Sequence, residues 1–265
     1  MFFWPSISSP TAGRCPVPLH SAGPPIFCYV TDRASLGACG SREIPPELRE
    51  IVSPDDPLAP LQASIAAAAA AGVHWIQLRE KDLPANEIAR LTRAALSGRR
   101  LAKSEAANSA PSQPRIFVND RLDVAIAERA GGVHLGEHAL PVAEAQRLLQ
   151  SLPDENRPAD FLTGASCHSL RSAQAAADAG ADYIFFGPVF PTPLKRVYGP
   201  AQGLRLLAEI CRAVRIPVLA IGGINAQNAA ACVAAGAAGV AAIRLFQQPQ
   251  EAPSVAELLR SLSRG

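Results

Sequence analysis

Apolar positions along the chain follow two alternating spacings. Short runs rich in β-branched and aromatic residues stand at IFCYVTD (26–32), VHWIQLRE (73–80), RIFVN (115–119), GVHLG (132–136), FLTGAS (161–166), DYIFFG (182–187), PVLAIGG (217–223) and GVAAIR (239–244). Their length and composition predict eight buried strands. Each is followed by a segment with helical spacing: LAPLQASIAAAAAAG, ANEIARLTRAAL, RLDVAIAERAG, PVAEAQRLLQSL, SLRSAQAAADAG, PAQGLRLLAEICRAV, NAQNAAACVAAG and SVAELLRSLSR. Five of these stop at or just before a Gly or a Pro, as helix C-termini tend to.

Strict β-then-α alternation predicts a parallel sheet with right-handed crossovers, and eight strands are the number that closes it. The expected fold class is therefore α/β, a single (β/α)8 TIM barrel. An open doubly wound sheet is the lesser option, because YVTDRAS carries no glycine where a dinucleotide fold would need its phosphate-binding turn. A length of 265 residues suits one such barrel.

Three stretches break the pattern. MFFWPSISSPTAGRCPVPLHSAGPP has neither a basic n-region nor a long apolar stretch, so residues 1–25 are expected to be a disordered leader rather than a signal peptide, and 26–265 the barrel domain. Residues 35–57 and 97–114, rich in Pro, Ser, Gly or charge, read as surface insertions within it. Charged residues make up 18% of the chain and the formal net charge is +2. No broad field draws it to nucleic acid or a membrane, and its expected partners are small-molecule substrates bound locally. The six cysteines show no C-x-x-C pair and no zinc-like spacing, which fits a reduced, cytoplasmic setting. A homodimer is left open.

In a barrel the reactive groups lie where strands end and the following loops begin. There the chain places Gln77, Arg79 and Lys81; Asn119 and Asp120; His134 and Glu137; Ser166 and His168; Thr192 and Lys195; Gly222 and Gly223; and Arg244. Gln77, Arg79 and Lys81 are spaced by two, so an extended backbone would turn all three to one side. A solvated rim paired with Glu80 and Asp82 is the plain reading of the two cations. Parity opposes it, because Glu80 should face the other way. The glycines of IGGIN (221–225) precede a helix, where backbone N–H groups can seat a phosphate. In VNDRLD (119–124), Asn119 and Asp120 could cap the next helix or hold a metal ion. Cys167 has no activating base in the sequence and reads as a small buried residue. His134 reads as an inward barrel residue.

YVTDR, QLREKDL, FVNDRLDVAIAERAGGVHLG, GASCHSLRSAQAAADAGADYIFFGPVFPT and PVLAIGGINAQNAAACVAAGAAGVAAI, in this order, resemble the thiamine phosphate synthase family and its relatives, the TenI-type thiazole tautomerases. The resemblance implies coupling of an aminopyrimidine diphosphate to a thiazole phosphate with release of pyrophosphate, and Mg²⁺ as cofactor. It implies that Gln77, Arg79, Lys81, Asn119, Ser166 and Lys195 hold the pyrimidine diphosphate. Thr192, Gly223, Ile243 and Arg244 would hold the thiazole phosphate, with Asp120 as a magnesium ligand.

Three positions depart from the synthase pattern. GEHA (136–139) stands where the family has GQED, so Ala139 replaces a metal carboxylate and Glu137 is the candidate substitute. Leu194 stands in place of a threonine, and Arg244 in place of a serine. These departures keep two rivals in view. A tautomerase would use His168 to move a proton, work to which histidine as a residue type is suited. A non-catalytic barrel would only bind thiamine precursors or a phosphate ester. The intact QLREK and NDR favour the synthase.

Overall fold

The computed structural model describes residues 24–36, 56–101, 113–156, 158, 160–192, 200–247 and 258. Most of the expected leader and insertions, the final expected helix at 254–264, Lys195 and Leu194 lie outside the described residues. Eight strands form a closed parallel barrel in sequence order. They are β1 (Ile26–Val30), β2 (Trp75–Leu78), β3 (Arg115–Asn119), β4 (Gly132–Leu135), β5 (Leu162–Cys167), β6 (Tyr183–Phe186), β7 (Val218–Ile221) and β8 (Gly239–Ala242). All eight sit inside or within one residue of the runs read from the sequence. Registers such as Cys28 with Ala241 across β1 and β8 close the ring.

The helices are α1 (Arg33–Leu36), α2 (Ala59–Ala70), α3 (Ala85–Leu101), α4 (Leu122–Ala127), α5 (Val142–Ser151), α6 (Leu170–Asp178), α7 (Gly203–Ala213), α8 (Ala229–Ala234) and α9 (Arg244–Gln247). Local chemistry sets several starts. Pro60 opens α2, where a missing N–H is harmless. Ser169 caps α6 by accepting the Ser172 N–H, and Ser172 returns the bond to the Ser169 backbone. Among the described residues no helix is long and apolar enough to cross a membrane.

Strand parity divides the core in two. Outward residues such as Phe27, Ile76, Val118 and Ile184 pack beneath the helices. Inward residues Cys28, Val30, Trp75, Phe117, Tyr183, Phe185, Leu219 and Ala241 fill the barrel. Trp75 packs 4.9 Å from Phe117 and 4.8 Å from Tyr183 between ring centroids, both tilted or edge-on, the geometry aromatic quadrupoles prefer. Gly164 makes room for this plug: a Cβ there would meet the Tyr183 ring at 2.1 Å.

The segment ahead of α2 is tied to α3 by charge. Asp56 accepts from both terminal nitrogens of Arg90, at 2.5 and 3.0 Å, and Arg90 also bonds to Glu87. The Arg90 guanidinium holds the Asp56 carboxyl down at about 2. A carboxyl depressed in the folded state adds stability that is present above its unfolded pKa and is lost as pH falls through the folded value. Asp56→Asn is expected to lower unfolding free energy by about 1 kcal/mol at pH 7, because the partly exposed guanidinium is screened. In urea titrations the difference from wild type should shrink between about pH 4 and pH 2.

Candidate functional site

Above the aromatic plug the barrel interior turns polar. Gln77, 2% exposed on β2, donates its amide to Asn119 Oδ1 on β3 at 2.9 Å. His134, 1% exposed on β4, lies with Nε2 2.9 Å from Ser166 Oγ on β5 and Nδ1 3.2 Å from the Tyr183 hydroxyl. Burial pushes the Tyr183 phenol well above its ordinary range, so it stays protonated. Four residues expected near strand ends thus form two bonded pairs on neighbouring strands. The sequence placed His134 inside but did not connect it to Ser166. Only the β4–β5 register, which sets His134 beside Gly164, supplies that link.

Beyond the strand ends, parity holds for one step and then fails. Arg79 is half-buried, and its backbone N–H donates to the Thr31 hydroxyl at 2.9 Å. Lys81, expected to continue an extended run, instead lies in a turn closed by the Leu83 N–H on the Glu80 carbonyl at 3.2 Å. The strand has already ended at Leu78, because pairing to β3 stops at Val118. Lys81 still reaches the neighbouring strand end, with Nζ 3.9 Å from Asp120 Oδ2. The plain reading of a rim paired with Glu80 and Asp82 does not describe these cations, since both carboxylates engage Arg33.

Asp120 does not cap the next helix. Arg121 holds the N-cap position of α4, with no side-chain cap bond. The Asp120 backbone has φ 60°, and its Oδ1 accepts the Gly136 N–H at 2.7 Å, which bridges the ends of β3 and β4. Glu137 follows in the β4 loop, exposed, with Oε2 3.8 Å from His168 Nε2. His168, past the end of β5, donates from Nδ1 to the Gly187 carbonyl. In the neutral ring this leaves Nε2 as the basic atom. Cys167 is buried, and burial pushes its thiol up to about 11, which fits a packing role rather than a nucleophile.

The remaining candidates gather at β6, β7 and β8. The Val189 N–H donates to the Ile221 carbonyl and the Phe190 N–H to the Gly222 carbonyl, which lays the segment leading to Thr192 along IGGIN. Gly222 and Gly223 have φ 95° and 67°. A Cβ on Gly223 would meet Phe190 Cβ at 2.7 Å and the Phe190 and Pro191 carbonyls at 2.8 Å. Asn228 donates to the Gly223 carbonyl at 2.9 Å. Ile243 packs against the inner core, while Arg244 is exposed at the first position of α9.

Cations, carboxylates and positive-φ glycines gathered at the C-terminal strand ends of a closed eightfold barrel define an α/β-barrel enzyme with its active face at that mouth. The chain belongs to the thiamine monophosphate synthase family, whose model matches residues 50–246. It is 44% identical over 193 residues to a thiamine-phosphate synthase of Methanoculleus marisnigri, covering 73% of this chain and 83% of that protein. It is 39% identical over 224 residues to a thiamine-phosphate synthase of Roseiflexus sp., covering 84% and 78%. A solved thiamine phosphate pyrophosphorylase from Pyrococcus furiosus superposes with a TM-score of 0.66 at 29% identity, covering 90% of this chain and 95% of that one.

Gly223→Ala combines a left-handed backbone with two close carbonyls. It is expected to lower unfolding free energy by about 2 kcal/mol in urea denaturation. Gly180→Ala, also at positive φ but with a side chain rather than backbone at 3.5 Å, should lose less.

Proposed function

We propose that this chain is a thiamine phosphate synthase, joining an aminopyrimidine diphosphate to a thiazole phosphate and releasing pyrophosphate. The observation that carries the reading is the meeting of Lys81 with Asp120 at 3.9 Å, from adjacent strand ends, above the bonded Gln77–Asn119 pair. Polar groups below can orient a heterocycle, and charges above can handle a diphosphate.

In this reading the carbon–oxygen bond to the diphosphate breaks with its electrons passing to the leaving oxygen, and the thiazole nitrogen supplies the pair that forms the new carbon–nitrogen bond. Such a step is accelerated by groups that stabilise the departing polyanion, with no need for a protein nucleophile. Arg79, Lys81 and Lys195 supply positive charge to it, while Gln77, Asn119 and Ser166 orient the pyrimidine. Thr192, Gly223, Ile243 and Arg244 receive the thiazole phosphate.

Asp120 is a hard oxygen donor at the mouth: the Gly136 N–H fixes one oxygen, and the other, which a cation would take, would have to be shared with Lys81 at 3.9 Å. Among the described residues no group of three or more His, Cys, Asp or Glu is arranged to hold a metal. Mg²⁺ takes one or two protein carboxylates beside water and substrate phosphates, and Asp120 supplies one. Glu137, in the adjoining loop, is the second carboxylate. When bound, Mg²⁺ would neutralise diphosphate charge and favour its departure. The free thiols Cys28, Cys167, Cys211 and Cys232 accord with a cytoplasmic setting.

His168 favours one alternative. With Nδ1 committed to the Gly187 carbonyl, Nε2 has the chemistry of a base for a TenI-type tautomerase. A coupled assay with both substrates and a Mg²⁺ titration, read as thiochrome phosphate fluorescence, separates the readings. Metal-dependent product is expected. Asp120→Ala should lower kcat/KM about a hundredfold or more. Glu137→Gln should raise the Mg²⁺ requirement, and a wild-type response there would remove Glu137 from the metal site. No product from folded protein would turn the assignment to the tautomerase if it isomerises thiazole carboxylate phosphate, and to a binding protein if it only retains thiazole phosphate.

A further inference from the structure

Between the two cations of the β2 loop lies a carboxylate that faces away from the mouth. Glu80 is 5% exposed. It shares the outward parity of Ile76 and Leu78, which are fully apolar and sit under the helices. Burying a carboxylate there is costly unless its oxygens are bonded. They are: both accept the Arg33 backbone N–H, at 3.2 and 3.0 Å, and Arg33 Nε lies 3.9 Å away. Burial pushes the Glu80 carboxyl up and Asp32 adds to this, whereas the Thr31 hydroxyl and Arg33 favour its charged form.

The same bonds clamp the residues on either side. The Thr31 hydroxyl accepts the Arg79 N–H at 2.9 Å, and the Glu80 carbonyl closes the turn that contains Lys81. The β1 end is itself held from the far side of the barrel seam. Gln247 of α9, 4% exposed, donates to the Asp32 carbonyl at 2.9 Å and accepts from the Ser35 hydroxyl at 2.7 Å. Residues 32–35 are therefore gripped by Glu80 from the loop after β2 and by Gln247 from the helix after β8.

We propose that Glu80 is a positioning residue: anchored on the Arg33 amide, it fixes the backbone from which Arg79 and Lys81 reach the diphosphate, and Gln247 holds that anchor in place. The inference rests on the synthase reading of those two cations. An apolar side chain at position 80 would fill the same space and leave the loop free to shift. A misplacement of that kind weakens only the groups that depart from this loop.

Titration calorimetry with inorganic pyrophosphate and Mg²⁺, and separately with thiazole phosphate, tests this on the full chain. Glu80→Leu is expected to weaken pyrophosphate binding about tenfold while leaving thiazole phosphate affinity unchanged. Glu80→Gln, which keeps an acceptor for the Arg33 N–H, should restore affinity to within about threefold of wild type. In steady-state assays the same split should appear as a raised KM for the aminopyrimidine diphosphate alone. Equal losses for both ligands, or an unchanged pyrophosphate affinity in Glu80→Leu, would overturn the proposal. If Glu80→Leu does not fold, Gln247→Leu decides, with a loss of about threefold expected for pyrophosphate only and no loss refuting it. A wild-type protein that binds no pyrophosphate would instead bring down the synthase reading beneath it.

Discussion

Everything at the barrel mouth depends on the packing of Trp75, Phe117 and Tyr183 inside the ring of strands. Eight parallel strands leave an interior just wide enough for side chains to fill. Three large rings meeting at 4.8 to 5.4 Å occupy its lower half, and Gly164 is bare so that Tyr183 can lie there. With the lower layer dry, the polar side chains above cannot sink, and each must find its partner at its own height. Gln77 bonds to Asn119, and His134 to Ser166 and to the hydroxyl at the top of the plug. That last bond joins the two layers, because the aromatic that seals the bottom also orients the histidine that addresses Ser166. Satisfied in this way, the polar layer becomes a rigid floor rather than a buried liability.

Above the floor, loops are fastened by side chains reaching the backbone of the next strand end. Asp120 takes the Gly136 amide, Glu80 the Arg33 amide, Thr31 the Arg79 amide and Asn228 the Gly223 carbonyl. His168 reaches the Gly187 carbonyl. The Asn228 bond closes the β7 loop on itself, and each of the others joins two chain segments, so the rim is laced around much of its circumference. The Lys81 side chain, 55% exposed, stands out from this rim and meets Asp120 at 3.9 Å.

Strand positions were legible because buried parallel strands write themselves as short apolar runs, and the run boundaries follow Gly, Pro and charge. Parity also foretold that Glu80 would face away from Arg79. It failed for Lys81 because the extended backbone ends at Leu78, and a turn has its own geometry that alternation does not encode. The pairing of Gln77 with Asn119 could not be read either. Both are polar residues near strand ends, but their contact depends on the shear of β2 against β3, which sets Gln77 beside Phe117 and Asn119 two residues further on. Gln247 was invisible for a related reason: nothing in RLFQ marks a buried glutamine, and its partners lie more than two hundred residues away in the chain.

The β4 loop shows how one small apolar residue sets the shape of a turn at the mouth. Ala139 packs against the hydrophobic core, and its N–H closes a turn on the Gly136 carbonyl. An apolar residue is at ease in that place, so the loop has settled around its methyl group. The carboxylate that remains, Glu137, is exposed and lies within reach of His168. Asp120 is the more firmly anchored of the two carboxylates, because the Gly136 amide fixes one of its oxygens at 2.7 Å and the Lys81 ammonium faces the other at 3.9 Å.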